Sequence, residues 1–244
     1  MNTSLSRHIP NLLTTMNLLC GCMAVVFIFK GNIPVFSALV GASLVFDFLD
    51  GFAARALKAY SPMGKELDSL ADMVTFGFVP GAIMYHFFIN SVPIVLYQHE
   101  AWGQWISFFP FIITIFSALR LAKFNVDSRQ TDSFIGVPTP AITIFVIGLA
   151  LIIHYDLFHL TPALLNTYVI AGFCMILSYL LVSEIPMFAL KFKSFDWGKN
   201  KIQYIFLALS SISFLFLHFA GIPVVIILYI ILSLINNYTQ STTE

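Results

Sequence analysis

Asp47, Asp50, Asp68 and Asp72 share one short stretch of an otherwise greasy chain with Arg55 and Glu66. An ionised carboxylate loses hydration in apolar surroundings, so several of them together need positive charge to hold them there. Asp47 and Asp50 are three residues apart and Asp68 and Asp72 four apart, which on a helix projects each pair from one face. Tyr60-Ser61-Pro62 between the pairs breaks the helix, so the second helix can return antiparallel and bring all the acids into one volume. Carboxylates that close repel one another unless divalent cations neutralise them. An all-oxygen donor set suits Mg²⁺ or Mn²⁺ over Zn²⁺ or copper. Two such ions, roughly 3.5–4 Å apart, are the usual arrangement for displacement at phosphorus, where they activate the attacking oxygen and stabilise the leaving group.

Gly51 and Gly64 lie beside the acids and, lacking side chains, leave room for a bulky phosphorylated ligand to approach the backbone. Arg55 follows Asp50 and Gly51 by about one turn, where it could pair with phosphate or with a carboxylate of the cluster. A single acid near a helix end is commonly just solvated. The joint occurrence of these acids, glycines and arginine between two apolar segments argues against that reading.

The elements that must carry these residues are membrane helices. Hydrophobic residues make up 59% of the 244 and charged residues only 10%, far below the roughly 25% of a soluble domain. Apolar segments at about 12–30, 33–50, 66–90, 105–124, 138–157, 164–185, 202–218 and 221–236 predict an all-α, polytopic bundle of about eight transmembrane helices. The first has no cleavage site of small residues and is expected to be retained. Eleven of the 12 basic residues, all but Lys30, fall in the groups Arg7; Arg55, Lys58, Lys65; Arg120, Lys123, Arg129; and Lys191, Lys193, Lys199, Lys201. With an even number of crossings, all four groups share one face, which predicts cytoplasmic termini and an aspartate cluster at the cytoplasmic boundary. Residues 1–190 are expected to form the catalytic membrane core, 191–236 two additional C-terminal transmembrane helices and 237–244 a polar tail. Cys20, Cys22 and Cys174 form no disulfide framework and read as ordinary buried residues. No dense basic patch suggests a nucleic-acid partner.

The pattern D-x-x-D-G-x-x-A-R-x8-G-x-x-x-D-x-x-x-D is filled at every position over 26 residues, and it resembles the signature of the CDP-alcohol phosphatidyltransferase family. The resemblance implies a six-helix core, a homodimer in contact with membrane lipids, and Mg²⁺- or Mn²⁺-dependent transfer of a phosphatidyl group from CDP-diacylglycerol to an alcohol with release of CMP. It implies two divalent cations held by Asp47, Asp50, Asp68 and Asp72, with Asp72 as catalytic base. It places Asn11, Thr14, Asp50, Gly51, Ala54, Arg55, Ser61, Gly64 and Arg129 on the CDP-lipid.

The signature does not choose the alcohol. Three other stretches resemble the bacterial, serine-using branch of the family: Ile9-Pro10-Asn11-Leu12-Leu13-Thr14 with Asn17-Leu18-Leu19-Cys20-Gly21, then Ala118-Leu119-Arg120-Leu121-Ala122-Lys123-Phe124-Asn125, then Phe134-Ile135-Gly136-Val137-Pro138-Thr139-Pro140-Ala141. That likeness implies a bacterial inner-membrane enzyme, with Arg120, Lys123 and Asn125 meeting L-serine. Branch members often carry Arg where Lys123 stands, and a lysine lacks the bidentate fork. Serine brings a carboxylate and an ammonium, whereas glycerol 3-phosphate, the alternative acceptor beside an inositol-type alcohol, is a dianion that asks for more positive charge than this chain offers.

The expected chemistry is one in-line displacement: Asp72 takes the proton of the serine hydroxyl, whose oxygen attacks the phosphorus nearer the diacylglycerol as CMP leaves. A cation transporter would need a midplane site and repeated halves, neither of which the sequence has. His86 and Glu184 read as packing or interfacial residues, and Gly77, Pro80 and Gly81 as a kink or a close helix approach.

Overall fold

A computed structural model describes residues 8–94, 100–127, 134–188, 197 and 200–241. Helix α1 (Ile9–Phe29) carries Pro10 in its first turn, where a missing N–H costs nothing, and buries Pro10, Thr14, Asn17, Gly21, Ala24 and Ile28 along one seam. Helix α2 (Ile33–Ala56) is capped by Asn32, whose Oδ1 accepts from Val35 N at 3.2 Å. Its buried seam runs Ile33, Phe36, Val40, Ser43 and Asp50, and Asp47 falls on the same alternation of three and four. The two helices pack along these seams. Asp47 and Asp50 therefore extend a face that is apolar and buried further along.

Helix α3 (Pro62–Asp72) begins after Ser61, whose Oγ accepts from Gly64 N at 2.9 Å. It runs through a π-helical turn, Met73–Phe78, into α4 (Val79–Ile89). Pro80 accounts for the widened turn, because it offers no N–H to the carbonyls one turn back. Hydroxyls of neighbouring helices reach those carbonyls: Thr143 Oγ1, whose one proton is shared between Thr139 O at 2.9 Å and Phe76 O at 3.2 Å, and Thr114 Oγ1, which donates to Gly77 O at 3.1 Å. The turn starts at the residue after Asp72, so it sets how the acidic face of α3 is rotated relative to α4.

The remaining elements wrap this core. Helix α5 (Ala101–Ile106) leads through a 3₁₀ turn at Phe109–Phe111 into α6 (Ile112–Val126), which packs on the π-helical turn. Helix α7 (Thr139–Tyr155) is buried along most of its length at the centre of the bundle. A short α8 (Thr161–Leu164) precedes α9 (Thr167–Val182). Strands β1 (Phe134–Ile135) and β2 (Pro186–Met187) form a two-residue antiparallel pair, and α10 (Lys201–Leu217) and α11 (Gly221–Ser241) follow.

Outward faces are apolar, with Leu12, Val45, Phe48, Phe52, Leu119, Tyr179, Leu215 and Phe216 all exposed, as suits a bundle solvated by lipid. Among the described residues, five helices are long and apolar enough to cross a membrane: Ile9–Phe29, Ile33–Ala56, Pro62–Ile89, Trp102–Val126 and Lys201–Thr239. The chain is thus an all-α, multi-pass membrane bundle, and the expectation of about eight transmembrane helices is corrected to five. The apolar runs 138–157 and 164–185 fold as helices of 17 and 16 residues. At a rise of ~1.5 Å per residue both fall short of a ~30 Å hydrocarbon core. The runs 202–218 and 221–236 fold as α10 and α11, which count as one within Lys201–Thr239 but are joined by a turn at His218–Ala220, with His218 at φ 49°, and pack on each other.

Candidate active site

The acids meet at the end of the bundle where α1 begins, α2 ends and α3 begins. Carboxylate oxygens of Asp47, Asp50 and Asp68 lie within 4.8 Å of one another. Asp72 stands outside that triad, but its carboxyl group is in hydrogen-bond contact with that of Asp47, which links all four. Asp50 is buried and the other three are half-buried. Like charges at this separation, partly removed from water, repel unless they are protonated or neutralised by a cation, and the donors are all hard oxygens. The residues present therefore fit a divalent cation of the Mg²⁺ or Mn²⁺ type.

Helix α1 orients two of the acids. Thr14 Oγ1 donates to Asp50 Oδ2 at 2.6 Å, and Asn17 Nδ2 donates to Asp72 Oδ1 at 3.3 Å. Both side chains sit on the buried seam of α1, where a polar group without a partner is costly. Asn17 was not picked out as a site residue in the sequence. Its signal is its register, three residues after Thr14 and seven after Pro10 on the face turned to the acids.

A cleft of about 500 Å³ opens in front of the cluster, within the size range of small-ligand sites. Its walls include Pro10, Asn11, Thr14, Asp50, Gly51, Ala54, Arg55, Tyr60, Ser61, Gly64, Lys65 and Asp68. Of the residues expected on the CDP-lipid, all but Arg129 line this one cleft; Arg129 lies outside the described residues. Asp47 and Asp72 are not in its walls and sit behind Asp50 and Asp68. Arg55 is exposed, lies within electrostatic range of Asp50 and makes no ion pair among the described residues. A Cβ on Gly51 would come within 3.4 Å of Arg55 Nη1, and one on Gly64 within 3.0 Å of Asn11 Oδ1 and Ser61 Oγ. A side chain at Gly64 would press on Asn11 and Ser61, whereas one at Gly51 would only touch the end of Arg55.

The three residues expected to meet serine have separate fates. Arg120, on α6, is 7% exposed, faces the charge of Asp72, and its buried Nε has no hydrogen-bond partner. Lys123 is engaged by Glu184, Nζ to Oε1 at 3.2 Å, which also gives Glu184 its role. Asn125 Nδ2 donates to Ser69 Oγ at 2.9 Å and so ties the end of α6 to α3 beside Asp68. Arg120 and Lys123 share a narrow crevice with Phe124, Ile135 and Leu181–Ser183. Only Arg120 combines burial, an unsatisfied donor and proximity to the acids. His86 packs edge-on against Phe29, with ring centroids 6.2 Å apart, away from this site.

A family model described as CDP-alcohol phosphatidyltransferase matches residues 7–183, which takes in α1 through α9 and leaves α10 and α11 beyond it. The chain is similar to proteins named CDP-diacylglycerol–serine O-phosphatidyltransferase from several organisms. The one from Bacillus subtilis is 35% identical over 179 residues, 73% of this chain and 89% of that protein. The one from Helicobacter pylori is 32% identical over 231 residues, 93% of this chain and 90% of that protein. An archaeal relative, from Methanocaldococcus jannaschii, is 30% identical over 157 residues, 64% of this chain and 67% of that protein.

Proposed function

Because this chain belongs to the CDP-alcohol phosphatidyltransferase family, we propose that its acidic cluster transfers the phosphatidyl group of CDP-diacylglycerol to the hydroxyl of L-serine, giving phosphatidylserine and CMP. The chain is an enzyme of the CDP-diacylglycerol–serine O-phosphatidyltransferase type. The observation that carries the reading is the convergence of Asp47, Asp50 and Asp68 within 4.8 Å beside a cleft of about 500 Å³ that Asp50 and Asp68 line.

Asp47, Asp50, Asp68 and Asp72 would hold two divalent cations, Mg²⁺ or Mn²⁺, which when bound supply charge neutralisation at the phosphates and at the leaving group. Asn11, Thr14, Gly51, Ala54, Arg55, Ser61 and Gly64 form the wall for the cytidine diphosphate, with Arg55 as its exposed cation. Arg120 offers its guanidinium, whose buried Nε has no partner, to the serine carboxylate. Asp72, steadied by Asn17, accepts the serine hydroxyl proton as that oxygen forms its bond to the phosphorus nearer the diacylglycerol and the anhydride bond to CMP breaks. One buried guanidinium suits the single negative charge of serine's carboxylate better than the dianion of glycerol 3-phosphate.

The protein is a multi-pass membrane protein. We infer that the site faces the cytoplasm of a bacterial inner membrane, since Arg55, Lys58, Lys65, Arg120 and Lys123 all lie at the acid-bearing end while Lys30 lies at the other. Exposed apolar faces such as that of Phe48 and Phe52 are surfaces for membrane lipids or the second copy of a homodimer. The reading divides the chain into a catalytic core over 1–190 and a C-terminal addition over 191–236.

Purified protein given CDP-diacylglycerol, Mn²⁺ and each alcohol in turn is expected to release CMP with serine. Release driven by glycerol 3-phosphate and not by serine would refute the acceptor assignment.

A further inference from the structure

Helix α11 lies beyond the residues matched by the family model, 7–183, yet it is bonded to the part of the core that closes on Arg120. Tyr229 Oη donates to Phe188 O at 3.0 Å, Phe188 N donates to Ser233 Oγ at 3.4 Å, and Asn237 Nδ2 donates to Pro186 O at 2.7 Å. The three side chains are spaced four apart, so one face of α11 grips the backbone of residues 186–188. Rings of Phe188, Phe206 and Tyr229 pack around the grip with centroids 4.9, 5.8 and 5.8 Å apart.

What is gripped is connected to the crevice beside Arg120. Pro186 and Met187 form β2, which pairs with β1. Gly136, at φ 76°, donates its N–H to Ile185 O at 2.9 Å, and any side chain there would strike Leu181 O. Residues 181–185 are therefore pinned between β1 and α11. Leu181–Ser183 and Ile135 face Arg120 and Lys123, and Glu184 within that segment holds the Lys123 ammonium. Tyr229 itself lies within electrostatic range of Arg120.

We propose that α11 is a positioning element for the acceptor pocket: Tyr229, Ser233 and Asn237 fix residues 186–188, and through them the wall against which Arg120 and Lys123 are set. The proposal rests on the serine reading above. Aromatic packing alone would suffice to anchor a lipid-facing helix; the polar grip adds registry, because it fixes which backbone groups α11 meets.

The test is the double variant Tyr229→Phe, Asn237→Ala, assayed by CMP release with serine and CDP-diacylglycerol varied separately. The KM for serine is expected to rise roughly three- to tenfold, while the KM for the lipid stays within about twofold of the parent. An unchanged serine KM, or an equal rise in both, overturns the proposal. Ser233→Ala, which keeps the aromatic packing, is expected to move serine KM the same way by about twofold. If the double variant does not fold, an unchanged serine KM in Ser233→Ala decides against the proposal. A parent protein that releases CMP with another alcohol and not with serine overturns the acceptor assignment instead, and the grip is then judged on the KM of the alcohol that works.

Discussion

Asn17 Nδ2 reaches Asp72 Oδ1 at 3.3 Å across 55 positions of sequence, binding α1 to the far end of the acidic pair on α3. The other amide atom, Oδ1, is buried with no partner, so the side chain has one bond that fixes it and nothing competing for it. Groups that orient a ligating or catalytic carboxylate typically contribute 10- to 100-fold to metal affinity or activity. Asn17→Ala is therefore expected to lower kcat by at least roughly tenfold while CDP-diacylglycerol still binds. Steady-state kinetics beside a lipid-binding measurement checks this, and an unchanged kcat would remove Asn17 from the site.

The proposed site makes turnover dependent on a divalent cation. Stripping the protein with a chelator is expected to abolish CMP release, and Mn²⁺ or Mg²⁺ to restore it. Zn²⁺, which prefers nitrogen and sulfur donors, should restore little. Asp50→Asn and Asp68→Asn each remove a charge from the triad and should raise the Mn²⁺ concentration needed for half-maximal rate. Asp72→Asn should end turnover at any Mn²⁺ concentration with the nucleotide lipid still bound. A variant of Asp72 that turns over at near-normal rate would exclude it as the base.

Arg120 is the buried cation nearest the acids that makes no ion pair among the described residues. Its guanidinium is buried, lies 5.7 Å from the Phe124 ring centroid, and keeps Nε unsatisfied. Arg120→Lys retains the charge and loses the planar fork that meets a carboxylate in two places. The KM for serine should rise by roughly tenfold or more, the cost of a charged hydrogen bond, with the lipid KM little changed. Lys123→Met should have a smaller effect on serine KM, because its ammonium is already committed to Glu184.

The acidic cluster was legible in the sequence because its geometry is local: spacings of three and four within a helix, and Pro62 after Ser61 to restart the chain. Part of the cleft wall, Gly51 to Gly64, lies in the same short stretch, whereas Asn11 and Thr14 of α1 were implied only by the family resemblance. Crossings were less legible, because hydropathy does not register where a helix stops. Asp156 ends α7 in a left-handed conformation, φ 46°, within a run that still reads as apolar. Lys123 shows the same limit at the level of a side chain. Its charge is plain in the sequence, but its partner Glu184 lies 61 positions away and is brought close only by the packing of α6 on α9. The pairing of β1 with β2 involves two residues from each strand and carries no periodic signal at all.

Pro80 was readable as a kink, but the π-helical turn it produces depends on hydroxyls from two other helices. Thr143 is the sharper probe of the pair. Its Oγ1 lies 3.2 Å from Phe76 O and 2.9 Å from Thr139 O, at a site without water-exposed alternatives. Thr143→Val keeps the shape and removes the hydroxyl, leaving a carbonyl of the widened turn unsatisfied. Interhelical hydrogen bonds of this kind contribute about 0.6 kcal/mol on average and up to about 1.7 in membrane proteins, so the fold should survive with a lowered Tm. The effect on activity should exceed the effect on stability, because the turn begins directly after Asp72 and sets the rotation of the acidic face. Relaxation of the turn toward a regular helix would swing Asp72 away from Asn17 and Asp47. The expected outcome is a fall in kcat with a raised Mn²⁺ requirement, in a protein whose Tm drops by only a few degrees. Thr143→Ser, which restores the donor, should recover both. A Thr143→Val protein with unchanged kcat and Mn²⁺ dependence would show that the turn does not govern where Asp72 points.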